Sequence, residues 1–128
     1  MNQGEFREMM LKRTNIIAVR IIKMVNEFPS KTAYFVIGKQ IVKSATSTAA
    51  NYSAANRGRS KKEFYAKLCI VVEECDETLF WLQMLEDAEL VKPEMLIDLK
   101  KETTEILSIL SKAKKSTKEA LYPKNSTT

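Results

Sequence analysis

In four successive segments, apolar side chains return at steps of three and four residues, and only three glycines and three prolines punctuate all 128 positions. Such spacing keeps the apolar groups on one face of an α-helix, and each helix must then bury that face against another. The first segment spans about Glu5 to Asn26 on the stripe Phe6, Met10, Ile17, Ile21, Met24 and Phe28. Phe28-Pro29-Ser30 ends it, because a residue before proline avoids the helical region. The second spans about Tyr34 to Ala55 on Ile37, Ile41, Ala45, Thr48, Tyr52 and Ala55, and stops at Asn56-Arg57-Gly58.

The third opens with Ser60-Lys61-Lys62-Glu63. The Ser60 hydroxyl can accept from the amide of Glu63 while the Glu63 carboxylate reaches back to the cap amide. It runs to about Glu86 on Phe64, Leu68, Val71, Cys75, Leu79 and Leu82. Tyr65, Ile70, Val72, Phe80, Trp81 and Met84 fall outside that stripe, so this helix has apolar surface to spare. The fourth opens at Pro93, a favoured first helical position, and carries Leu96, Leu99, Thr103, Ile106, Leu110 and Ala113. Short connections favour antiparallel neighbours, so the expected fold is all-α: an up-down-up-down four-helix bundle over residues 1–116, with a polar, fraying tail over 117–128.

From Ser44 to Ala55 the chain is almost wholly Ser, Ala and Thr, with Asn51 and Tyr52 as exceptions. Short side chains bring helix axes closer than Leu or Phe allow, and Ser and Thr can bond back to the preceding turn. Asn51 has two structural readings: an amide satisfied on a half-buried face, or one that bonds across helices or to the loop before Ser60. No nucleophile–base pair accompanies it, which argues against catalysis there.

The chain has no histidine, which removes His-based acid–base chemistry and His-dependent triads. Cys69 and Cys75, six residues apart on a helix, point in different directions and read as plain buried thiols of a reducing compartment. The carboxylates Glu73, Glu74, Asp76 and Glu77 read first as a solvated face or as salt-bridge partners, and only secondarily as a metal site. No metal, no cofactor and no enzymatic activity are expected. The first fifteen residues mix charges into their apolar positions, unlike a signal peptide, and no apolar run approaches a bilayer's width, so a soluble cytoplasmic protein without membrane contact is expected.

The net charge of +5 is unevenly spread. Residues 34–62 carry six basic side chains and no acidic one, whereas residues 63–91 carry one basic and eight acidic. Antiparallel topology would gather Arg57, Arg59, Lys61 and Lys62 at one end with the start of helix 1 and the end of helix 4. That end then holds Arg7, Lys12, Arg13, Lys112, Lys114, Lys115 and Lys118. The opposite end would gather Glu86, Asp87, Glu89, Glu94 and Asp98. Basic clusters bind phosphates by releasing counterions, and Tyr52 and Tyr65 could stack on bases if exposed. The plainer reading is a solvated surface with lysines suited to helix C-termini. The candidate nucleic-acid contacts are Arg57, Arg59, Lys61, Lys62, Arg13, Lys114, Lys115 and Lys118, and the candidate structural residues are Asn51, Ser60 and Glu63.

Several of these residues form a familiar pattern. Lys43-Ser44-Ala45, Ser47, Asn51, Arg59-Ser60, Glu63-Phe64 and the acidic centre Glu73 to Glu77 resemble the four-helix-bundle proteins of the rRNA intervening-sequence family. Phe28-Pro29 and Gln40 also fit, and the similarity spans about Phe6 to Leu110. Two positions depart from it: many members read Asn-Ile-Ala-Glu-Gly where this chain has Asn51-Tyr52-Ser53-Ala54-Ala55, and Lys43 stands where Arg is more usual. The resemblance implies an antiparallel bundle that assembles as a homopentamer. It also implies kinship with the accessory proteins of diversity-generating retroelements, which work with a reverse transcriptase and RNA. The leading expectation is a non-enzymatic, oligomeric accessory protein that binds RNA or DNA. The alternative is a protein-interaction scaffold whose basic end serves only solubility.

Overall fold

The computed structural model of the protein describes residues 1–124. They form four helices, α1 (Gln3–Asn26), α2 (Thr32–Ala55), α3 (Lys61–Asp87) and α4 (Pro93–Leu121), with no strand among the described residues. Each helix packs on its neighbours in the cycle α1, α2, α3, α4 and back to α1. The contact closing α4 onto α1 is the thinnest, and among the described residues the diagonal pairs bring no Cα atoms within 8 Å of each other.

Paired residues show the direction of each neighbour. Tyr34 Oη donates to the Leu90 carbonyl while Thr78 Oγ1 donates to Ser44 Oγ, so α2 and α3 run oppositely. Lys100 meets Glu86 and Cys75 meets the Thr103 carbonyl, so α3 and α4 do too. Gly38 lies against Val25 and Phe28 near one end of α1 and α2, and Arg7 shares a cleft with Tyr52 near the other. The molecule is therefore an up-down-up-down four-helix bundle.

The sequence supplies the helix ends. Asn2 Oδ1 accepts from the Glu5 amide at 2.8 Å to open α1, and Pro93 opens α4. Just past the end of α3, Glu89 has a left-handed φ of 58°, with the Leu90 amide donating back to the Leu85 carbonyl at 3.0 Å. This is the hydrogen bond that satisfies an orphan carbonyl at a helix end, here made without the usual glycine. Helix α4 does not stop at residue 116. It continues to Leu121, because Ala113, Thr117 and Leu121 stay half-buried and Lys118 suits the negative end of the helix. Of the tail expected over 117–128, residues 125–128 lie outside the described residues.

The core is built from Met10, Ile17, Ile21, Ile41, Leu68, Val71, Leu82, Leu85, Leu96, Leu99, Ile106 and Leu110, and the expected stripes supply most of it. One shift is informative. On α3 the buried position is Thr78, not Leu79, because the small Ser44 opposite leaves room for a hydroxyl that can pair with it at 2.9 Å. Thr14, Thr48, Thr78 and Thr103, one from each helix, surround a small central chamber with Cys75. Three of these hydroxyls donate to their own helix: Thr14 to Met10, Thr48 to Ser44 and Thr78 to Glu74. Thr103 Oγ1 is buried with no hydrogen-bond partner among the described residues.

Candidate nucleic-acid interface

The start of α1, the α2–α3 turn and the end of α4 meet at one end of the bundle, as antiparallel topology requires. Between them lies an open cleft of about 610 Å³. Arg7 and Lys61 line it, no carboxylate does, and the half-buried rings of Phe6 and Phe64 form part of its wall. Gly58 also lines the cleft, and a Cβ there would sit 3.1 Å from the Ala55 carbonyl, so glycine keeps the turn tight.

The candidate cations divide into three groups. Arg57, Arg59, Lys61 and Lys62 are exposed on and after the turn. Arg57 is steadied by a bond from its guanidinium to Ser53 Oγ at 2.7 Å. Arg59 makes only a loose contact to Glu63 at 3.8 Å, which solvent screens heavily. On the last turns of α4, Lys115 and Lys118 are exposed and Lys114 is half-buried.

Arg13 belongs with neither group. It lies well inside α1 and is bound to α4, with Nε 2.7 Å from Glu102 and Nη2 3.1 Å from Glu105. Its pKa is raised, chiefly by the hydrogen bond to Glu102. This guanidinium holds two helices together and stands apart from the cleft, unlike the other candidate cations near the α2–α3 turn. The cause is helix register: position 13 faces the acidic side of α4, while position 7 faces the cleft.

Ser60 and Glu63 cap α3. Ser60 Oγ accepts from the Glu63 amide at 3.1 Å, and the Glu63 carboxylate accepts from the Arg59 amide, one residue earlier than the cap itself. Asn51 bonds within α2, donating to the carbonyl and hydroxyl oxygens of Ser47 at 2.9 and 3.0 Å, and so does not bridge helices. Tyr52 is buried at 3% exposure, with its pKa raised by desolvation, and cannot stack on a base. Tyr65 is half-buried. Of the aromatic residues that line the cleft, Tyr52 is buried, whereas Phe6 and Phe64 are half-buried. Reading them as the outermost members of core stripes concealed this, although their position at the ends of two stripes was visible in the sequence.

The opposite end gathers Glu86, Asp87, Glu89, Glu94 and Asp98 around the α3–α4 connection, but it is mixed in charge rather than purely acidic. Arg20, Lys23 and Lys92 line a depression there beside a single carboxylate, Glu27, and Glu86 is paired with Lys100 at 2.9 Å. The α1–α2 connection and its flanks bring cations that the tally of α3 alone could not anticipate.

In the middle of α3, Cys75 is buried with its thiol 3.9 Å from the Thr103 carbonyl, and burial pushes its pKa up to about 12. Glu74 is also raised, first by burial and then by Glu77. Among the described residues, no three Cys, Asp or Glu side chains come together in a way that could hold a metal ion. No helix among them is long and apolar enough to cross a membrane.

Residues 9–112 match the model of the family described as 23S rRNA-intervening sequence protein. The chain belongs to that family. A solved structure from Bacteroides thetaiotaomicron, described as a protein of unknown function from the S23 ribosomal protein family, is similar. It is 30% identical, with a TM-score of 0.79 over 85% of this chain and 97% of that one. No curated protein matches the sequence. In this intervening-sequence family member, the matched span stops short of the cleft's α1 residues and of Lys114, Lys115 and Lys118, so much of the cationic end lies outside the family match.

Proposed function

We propose that the protein is a non-enzymatic accessory factor of the cytoplasm that assembles as a homopentamer and grips RNA or DNA through the end that bears the cleft. The observation that carries this reading is the convergence of three distant chain segments around one opening with a cationic rim and no carboxylate. Arg57, Arg59, Lys61 and Lys62 form the grip, with Arg7 in place of Arg13 and with Lys114, Lys115 and Lys118 flanking it. The family's tie to 23S rRNA insertions supports an RNA partner. Self-assembly is supported by Ile70 and Phe80, which stand exposed on α3. Five copies would present the cations together and turn weak contacts into avid ones. The resemblance to retroelement accessory proteins adds a reverse transcriptase as the proposed protein partner.

The test is binding of labelled nucleic acid across a salt series, with light scattering to count subunits. Affinity falls steeply as salt rises, since each neutralised phosphate contributes a slope of about −0.7 to −0.9 in log K against log salt. Reversing the charges of Arg57, Arg59, Lys61 and Lys62 together abolishes binding and leaves the subunit count unchanged. Binding that ignores salt, or survives the reversal, defeats the proposal.

A second reading, a protein-interaction scaffold, is favoured by a different surface. Val25, Phe28, Phe35, Gly38 and Val42 line an open groove between α1 and α2, and Phe35 is 71% exposed. Recovery of a stoichiometric protein partner that Phe35→Asp releases, from preparations free of nucleic acid, would support it over the first.

A further inference from the structure

We infer that the cleft at the basic end seats an unstacked base, so that the protein takes single-stranded RNA or DNA in preference to a duplex. This rests on the nucleic-acid reading above and narrows it to a class of ligand.

A surface that only neutralises phosphates needs cations on a convex or flat face, where every backbone is gripped alike. This end is built differently. Its cations border a recess lined by Phe6 and Phe64 and by small residues, Ala55 and Ala113 among them. Small residues there keep the recess open where larger ones would fill it. Arg7 and Lys61 also line it, where they can meet the phosphates that flank an inserted base. Aromatic faces hold bases of any sequence by stacking, whereas a base within a duplex has its faces covered.

The recess also carries groups suited to a base edge. Asn56 lines it, and its Nδ2 is already used in a 2.8 Å bond to the Tyr52 carbonyl, which leaves Oδ1 as an acceptor for a base amino or imino hydrogen. The Gln3 amide lies on the same lining. A duplex could reach these groups only by flipping a nucleotide out, at a cost of a few kcal/mol. A single strand has no such barrier.

The experiment uses the full chain and four fluorescent probes of equal phosphate number, the duplex being half as long as the single strands. These are single-stranded RNA, single-stranded DNA, the same DNA strand with abasic sites, and a DNA duplex. At one fixed salt concentration, natural single strands bind about tenfold more tightly than the abasic strand or the duplex, the scale of one stacked base. Phe6→Leu removes that preference, bringing natural single strands down to the affinity of the abasic strand; Phe64→Leu repeats the test at the second ring, with thermal melting to confirm that both variants fold. Preference for either sugar supports the base seat and tells RNA from DNA. Equal affinity for natural and abasic strands, or a preference for duplex, overturns the inference while leaving the phosphate grip standing. No binding to any probe overturns both.

Discussion

At the scale of single residues, the threonines of the central chamber allow a sharp comparison. Thr78 and Thr103 are both buried, yet Thr78 donates to Ser44 and to its own helix while Thr103 Oγ1 has no partner among the described residues. Removing a satisfied hydroxyl leaves Ser44 without its cross-helix bond, whereas removing an unsatisfied one relieves a desolvation penalty of about 1–3 kcal/mol. Thr78→Val is therefore expected to destabilise the protein by about 1 kcal/mol and Thr103→Val to stabilise it by a similar amount, read from chemical denaturation. Destabilisation by both would show that the Thr103 hydroxyl is satisfied. Nothing in the sequence separates these two threonines. Thr103 was visible as a member of the α4 stripe, but Thr78 sits one position from the more apolar Leu79. The choice between them, a rotation of about 100°, is made by the small face of α2. The cations pose the same problem. Arg7 and Arg13 stand on one helix, and only the register of α4 determines that the second meets Glu102 and Glu105.

At the scale of elements, the existence and order of the helices were legible because a periodicity of three and four, broken at Pro29, Gly58 and Pro93, has few other solutions. Their ends were less so. The last turns of α4 lack an apolar stripe, so the sequence pattern ended before the helix did. The α3 terminus hides another detail: Glu89 occupies a left-handed conformation at φ 58°, a region that disfavours any residue with a Cβ. Glu89→Gly is expected to raise stability by up to about 1 kcal/mol, since that conformation suits glycine and the capping bond from Leu90 is retained. A higher melting temperature checks it, and a lower one would mean that the Glu89 side chain has a stabilising role of its own. Close packing of α1 on α2 depends on Gly38, where an added Cβ would lie 2.9 Å from Val25 Cγ1.

At the scale of the whole molecule, the ring of four helices is least secure where α4 closes onto α1. Arg13 spans that seam with two carboxylates, at 20% exposure of its side chain. Arg13→Ala is expected to cost about 1–3 kcal/mol, because the lost contacts are charge-assisted and partly shielded from water. It is also expected to speed amide exchange in α1 more than in α3, and to leave nucleic-acid affinity unchanged. A large loss of affinity in a folded Arg13→Ala protein would return Arg13 to the binding surface. The even number of helices has a practical consequence as well. Gln3 lines the cleft at one end of the chain and Ala120 at the other. A dye attached at Gln3 or Ala120 would therefore stand over the opening and obstruct it, whereas a reporter placed at Ser30 or Glu89, a bundle's length away, would leave the opening clear.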